Sequence, residues 1–309
     1  MIILYHTYTG QEIPEVPELT IIQTPSHNAM DTVSFTIIAI VSAFFGAIAT
    51  VLARVLLKEL QSKDILAINF FTMGAVLLLL SPLFYHFEPT PIVMALIIII
   101  AFIDTAANYF LFKTFEKTDA SVASPLLSLA PAFTFFFSWI FLSDITNIRS
   151  FVFSIAIMVL IIIFSIDFSN FSVFKQATLW PAVLSSILFG VSAIPSKYLL
   201  STLHAINAPT LYMFRAGFIA IFAVLLFRFT ITNISITQYR VIFFRGLIVI
   251  AQWILLYYAL SRGNAGVTIT LGNITPVFVF FFSTLFLREK PTMKKFTAAI
   301  LVLVLSLLI

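Results

Sequence analysis

Cysteine is missing from this chain of 309 residues. Disulfides, thiolate metal sites and cysteine nucleophiles are excluded with it. Charge is nearly as scarce. Only 10% of the residues are Asp, Glu, Lys or Arg, against about a quarter in a soluble domain. So few charges cannot cover a water-exposed surface. The formal net charge is +4, yet no block of basic residues forms a nucleic-acid patch. The four histidines, His6, His27, His86 and His204, are scattered through the N-terminal stretch and the polar connections. They form no metal constellation. HExxH, GxSxG and phosphate-loop motifs are absent. These absences argue against an enzyme, a nucleic-acid binder and an ATP-driven pump. No catalytic residue, metal or cofactor is expected.

What is abundant is apolar. Hydrophobic residues make up 61% of the chain, 36 of them Phe, and the mean hydropathy is +1.10. The bilayer is the natural solvent for such a composition. Residues 1–32 are the exception. They read as a polar, proline-spaced tail carrying Glu12, Glu15 and Glu18. This tail has neither the basic nor the apolar region of a signal peptide, and Met30 offers an alternative start.

A membrane-crossing helix needs about 20 apolar residues. Ten segments qualify or nearly do: Val33–Leu57, Ile65–Phe84, Ile92–Phe112, Ala120–Leu142, Ile148–Ile166, Leu179–Leu200, Pro209–Phe229, Tyr239–Leu260, Ala265–Leu287 and Met293–Ile309. Polar, charged or Pro/Gly signals interrupt them, as in KELQSKD, HFEPTP and SRGN. The connections are too short to hold a soluble catalytic domain.

The chain repeats itself. Shifted by 145 residues, SLAPAFTFFFSWIFLSD meets NITPVFVFFFSTLFLRE. Pro131 falls on Pro276, Phe135 to Ser138 on Phe280 to Ser283, and Asp144 on Glu289, without a gap. Phe is common enough to match by chance. A Pro, a Ser and an acidic residue in one register are not. A second match sets Ser42, Gly46, Ala49 and Ala53 against Ser186, Gly190, Ala193 and Lys197 at an offset of 144. Each set recurs at helical spacing and forms a stripe of small residues. Such a stripe serves close helix packing in lipid, or lines a cavity.

The expectation is an all-α integral membrane protein of ten transmembrane helices in two five-helix repeats. The units are residues 33–167 and 179–309, joined by a linker at 168–178. Five spans is an odd number, so the second unit must cross in the opposite sense. Inverted repeats of this kind accompany alternating access about a midplane site. Loop charge agrees. Twelve Lys and Arg, among them Arg54, Lys113, Lys117, Arg240 and Arg288, fall on one side; Arg149, Lys197 and Arg262 fall on the other. The positive-inside rule then places both termini outside the cytoplasm.

The two long matching stretches, NYFLFKTFEKTDASVASPLLSLAPAFTFFFSWIFLSD and ILLYYALSRGNAGVTITLGNITPVFVFFFSTLFLRE, are similar to a known pattern. They resemble the third and fourth spans of EamA-type transporters of the drug/metabolite transporter superfamily. LYMFRAG resembles that family's Arg early in the second span of a repeat. The resemblance covers roughly Val33 to Ile309. It implies a carrier of small metabolites with spans 1–4 and 6–9 around a cavity and spans 5 and 10 outside. It also implies cytoplasmic termini, against the charge distribution. Two departures stand out: the family's Gly-Glu ending is Ser143-Asp144 and Arg288-Glu289 here, and Asn69 stands near where the second unit has Arg215.

An ionisable residue inside a span marks a candidate site. Asp104 lies in mid-span 3 with Asn108 one turn on, facing the same way. Its repeat counterpart is Val249, so the scaffold does not require a carboxylate there. Asp104 reads as a proton acceptor or cation-binding group, or as a static ion pair. Arg215 either pairs with Asp104, attracts an anionic substrate group, or snorkels to an interface. Lys197 and Arg245 read as snorkelling residues. Ser121, Ser124 and Ser128 in span 4, and Thr270 and Asn273 in span 9, accompany prolines that free backbone carbonyls. They line a wet cavity or bond neighbouring helices. Gln252 is adjacent to Trp253, and Trp253 makes a plausible wall for an organic substrate.

The function these residues indicate is a multi-pass secondary transporter of the plasma (inner) membrane. It would carry small organic metabolites such as amino acids, in the export direction, coupled to protons or exchange, as a monomer or homodimer among membrane lipids. A lipophilic-cation efflux carrier, a channel and an intramembrane enzyme are the alternatives.

Overall fold

The computed structural model describes residues 29–117, 127, 129–144, 146–165, 180–227, 234–286 and 293–309. Residues 1–28 of the N-terminal tail and the 168–178 linker lie outside the described residues, and residues 29–32 of that tail already belong to the first helix. Along the chain run α1 (Ala29–Leu57), α2 (Ser62–Leu80), α3 (Pro91–Lys117), α4 (Ala130–Leu142), α5 (Ile148–Ser165) and α6 (Trp180–Lys197). They are followed by α7 (Ala208–Phe227), α8 (Ile236–Arg262), α9 (Ala265–Gly272), α10 (Thr275–Phe286) and α11 (Met293–Leu308). No strand ladder forms among the described residues; an isolated bridge joins Phe87 to Ile206. Seven helical segments there are long and apolar enough to cross a bilayer. Ala130–Leu142, Ile148–Ile161 and Ala299–Leu308 are shorter apolar helices within the expected spans 4, 5 and 10. Most of the first half of span 4 lies outside the described residues.

Local chemistry sets the ends. Ser235 caps α8: its side chain accepts from the Gln238 amide while the Gln238 side chain accepts from the Ser235 amide, satisfying two orphan donors at once. Asn264 caps α9 by accepting from Val267 N. At the end of α4, Ser143 takes a left-handed conformation (φ 49°), the usual way to stop a helix. Beyond Pro195, α6 continues as one wide π turn, Tyr198–Thr202, a local bulge of the kind found at functional positions.

Span 9 is not one helix. It breaks at Asn273 and Ile274 between α9 and α10. Pro276 has no N–H to give to Gly272 O. Thr275 Oγ1 replaces it at 3.1 Å, and lies 3.2 Å from the carbonyl of Ala43 on α1. The neighbouring helix thus helps satisfy the break, as irregular backbone in a bilayer requires.

The two units pack by matching rules. Helix α1 packs along α8, and its counterpart α6 packs along α3. Helix α4 lies on α6, as α10 lies on α1; α2 meets α7, and α5 meets α11. A similar hydrogen bond recurs, one residue out of register on the serine side. Ser42 Oγ donates to Gln252 O at 2.8 Å, and Ser185 Oγ donates to Ala107 O at 2.9 Å. Both pairs are antiparallel: Ser42 meets Gln252 while Ala49 meets Arg245, and Ser185 meets Ala107 while Ser192 meets Asp104.

The small-residue stripes lie on these seams. A Cβ on Gly190 would stand 2.6 Å from Phe133 Cβ and 2.8 Å from Ala130 O; one on Gly46 would stand 3.0 Å from Thr275 Oγ1. Thr275 is the repeat counterpart of Ala130, so the same close approach is used twice. Where α2 crosses α7, Gly74 turns its bare Cα toward the backbone of Gly217, with 3.4 Å left for a Cβ. An apolar groove of about 1030 Å³, bordered by Phe71, Leu78, Phe214 and Leu225, lies between these two helices.

Candidate functional site

Asp104 and Arg215 come together in the interior, both with no exposed side-chain surface. Asp104 Oδ2 meets Arg215 Nε in an ion pair, and Asp104 Oδ1 accepts from Ser192 Oγ at 2.7 Å. One carboxylate therefore ties α3 to α7 and α6. The guanidinium carbon of Arg215 lies 3.8 Å from the Trp253 ring centroid, and 5.6 Å from those of Tyr212 and Tyr257. Tyr212 and Arg215 are one turn apart on α7, as Trp253 and Tyr257 are on α8, so each pair presents one face. The cation is covered by three aromatic rings and balanced by one acid. Of the three readings of Arg215, the structure gives pairing, and the interface-snorkelling reading is replaced. The antiparallel seam between α3 and α6 and the crossing of α3 with α7 hold it inside.

Beside this pair is a cavity of about 180 Å³. Asn69, Asn108, Gln252, Trp253 and Asn273 line it, and so do Thr50, Ser192, Ser196 and Thr275. Asp104 and Arg215 sit behind the wall formed by Ser192, Trp253 and Tyr257. The break between α9 and α10 opens onto it through Gly272, Asn273 and Pro276. Thr270 is buried off the cavity and donates to Gly266 O. Ser121, Ser124 and Ser128 lie outside the described residues. Asn108 Nδ2 donates to Asp104 O at 2.8 Å. Asn69 faces Met73 Sδ at 3.6 Å and leaves its Oδ1 without a partner.

The cavity wall obeys the repeat. At the 145-residue offset, Asn108 pairs with Trp253, Leu111 with Leu256, Phe112 with Tyr257, Phe115 with Leu260, Leu127 with Gly272 and Ala130 with Thr275. All twelve residues line it. Among the described residues, none of the lining comes from α5 or α11.

The two cations read as snorkelling, Lys197 and Arg245, both bond backbone carbonyls of neighbouring helices. Lys197 is half-buried, and its Nζ donates to Leu260 O at 3.2 Å and Gly263 O at 2.5 Å. It holds the carbonyls at the end of α8, off the cavity. Arg245 corrects the snorkelling reading outright. It is 6% exposed and lines the cavity; its Nε donates to Ala49 O at 3.1 Å. Helix α8 starts at Ile236, three residues before the expected span, so Arg245 lies more than two turns inside. Sequence reasoning also passed over Tyr212, Tyr257 and Ser192. The signal was present in the aromatic residues one turn from Arg215 and from Trp253.

Comparison with known proteins fits this geometry. The model of the EamA-like transporter family matches twice, at residues 34–166 and 177–309. No curated protein matches the chain. Among solved structures 28 chains match. One of them, described as "Crystal structure of protein", aligns with a TM-score of 0.68 at 13% identity, over 88% of this chain and 96% of its own. At that identity the likeness speaks for the fold alone.

Proposed function

The chain belongs to the EamA-like transporter family, and from that membership we propose that it is a secondary active carrier of small organic metabolites. Ten helices in two inverted units form it, and the cavity between the units holds the substrate. The observation that carries this reading is the wall itself: matched positions of both units face one space. A site built from matched positions of two related halves suits alternating access, in which the halves rock about a site near the midplane.

The antiparallel seams support the inversion. Within the first unit α1 and α3 run the same way if each helix crosses once. Helix α8, the counterpart of α3, runs against α1. The break at Asn273 supports a binding role for span 9, since unwound backbone at such depth belongs beside a cavity. The Asp104–Arg215 pair supports a positioning role, because its charges are already balanced and it ties helices of both units. Amino acids and related metabolites moved outward, by proton coupling or exchange, are the substrates and direction proposed.

Counterflow in proteoliposomes tests the carrier reading. Vesicles preloaded with an unlabelled candidate should transiently accumulate labelled candidate above equilibrium. Simple equilibration at channel-like rates would refute it.

A further inference from the structure

Among the described residues, Arg245 is a cation without an anion. Its residue is more than nine-tenths buried, and its Nη1 has no hydrogen-bond partner. Its guanidinium carbon lies 5.2 Å from the Phe112 ring centroid. Among the described residues no carboxylate pairs with it. Asp104 is taken by Arg215, so the pair adds no net charge, and Arg245 leaves the cavity with one positive charge. A buried, uncompensated charge is costly. The scaffold does not demand it, because the repeat counterpart of Arg245 is Ile100, a buried apolar residue.

From this we infer that the substrate is a small organic carboxylate whose carboxylate seats on Arg245. This deepens the carrier reading and rests on it. One guanidinium balances a single negative charge. A phosphate monoester carries about −1.5 to −2 near neutral pH and would leave an anion unbalanced in a largely apolar chamber. Lipophilic cations would meet like charge. The volume sets the scale: about 180 Å³ is well above the roughly 10–15 Å³ that one water needs. The cavity therefore takes a small organic carboxylate, or the carboxylate end of a longer molecule. Asn69 Oδ1, the other unpartnered buried atom of the wall, is an acceptor available for a hydroxyl or amino group on the same molecule.

The test uses the purified full-length protein and three probes of one shape: butyrate, butyramide and butylammonium, with alanine as a zwitterionic carboxylate. Binding is read by ligand-induced thermal stabilisation and by competition in counterflow. Butyrate or alanine should stabilise the wild type, and the amide and the amine should not. Arg245→Met should weaken that binding at least about 30-fold, as loss of one partner of a buried charge pair does. Arg245→Lys should retain part of it. Without ligand, Arg245→Met should melt no lower than the wild type, since an unpaired cation is removed. Carboxylate binding that survives Arg245→Met, stabilisation by the amine or amide alone, or an unliganded Arg245→Met protein that melts markedly lower would each overturn the assignment. Counterflow of a non-anionic substrate would overturn it and leave the carrier intact. Absence of binding by every probe together with absence of counterflow would overturn both.

Discussion

Replacing Asp104 by Asn removes the only carboxylate that faces Arg215 among the described residues, and leaves a guanidinium with no exposed surface. The Asn side chain still offers an oxygen to Ser192, now 2.7 Å from Oδ1, so that hydrogen bond survives. The ring contacts to Trp253, Tyr212 and Tyr257 exist before and after and do not offset the change. What is lost is charge balance, and stranding one member of a buried pair costs about 3–5 kcal/mol. At about 2–3 °C per kcal/mol for a chain of this size, Asp104→Asn should melt roughly 6–15 °C lower in detergent. Arg215→Met alone should also lose stability. The double variant Asp104→Asn/Arg215→Met buries two neutral groups and should recover to within about 1 kcal/mol of the wild type, because a buried pair gains little over neutral groups of similar size. The double-mutant cycle then gives a coupling of about 3 kcal/mol or more. An Asp104→Asn protein that melts with the wild type, or a double variant worse than either single one, would refute the reasoning.

Gly190→Ala should cost about 1–3 kcal/mol in the same assay through overpacking against Phe133 and Ala130. Gly217→Ala, where an added Cβ meets nothing within 4 Å, should be neutral or stabilising, since Ala is the better helix former. Asp144 Oδ2 accepts from the Ala265 amide at 2.9 Å, so Asp144→Ala should cost about 0.5–2 kcal/mol as loss of a helix cap; no change would show the cap to be idle. A C-terminal reporter active only in the cytoplasm should stay silent if loop charge governs orientation, and activity would establish the reverse.

Much of the scaffold was legible from hydropathy and turn residues, because a helix in lipid must be apolar over its length. Helix α1 ends at Leu57 and α11 starts at Met293, as expected from the sequence. The break at Asn273 was visible only as a proline: hydropathy does not register which carbonyls Pro276 leaves free. Asp104 and Arg215 drew attention as charges inside spans, and three-dimensional packing supplied the fact that they meet. Arg245 was hidden by a boundary error of three residues, which moved it from interior to edge. The aromatic sheath of Arg215 was hidden because Tyr212 and Trp253 belong to different helices. In a chain this rich in rings, no local pattern joins them.

The crossing of α2 and α7 at Gly74 and Gly217 bears on motion. Interdigitated side chains lock two helices at one angle, since changing it must lift knobs out of holes. Here Gly74 presents no side chain to the Gly217 backbone, so at that point there is no knob to lift. The nearest tie between the two helices is the contact of Tyr212 with Met73 Sδ at 3.4 Å, and the adjoining apolar groove leaves empty space on one flank. A change of crossing angle there has one polar contact to strain rather than an interlocked row of side chains. Gly74 thus cedes some helix stability and leaves the two units a joint that is lightly held.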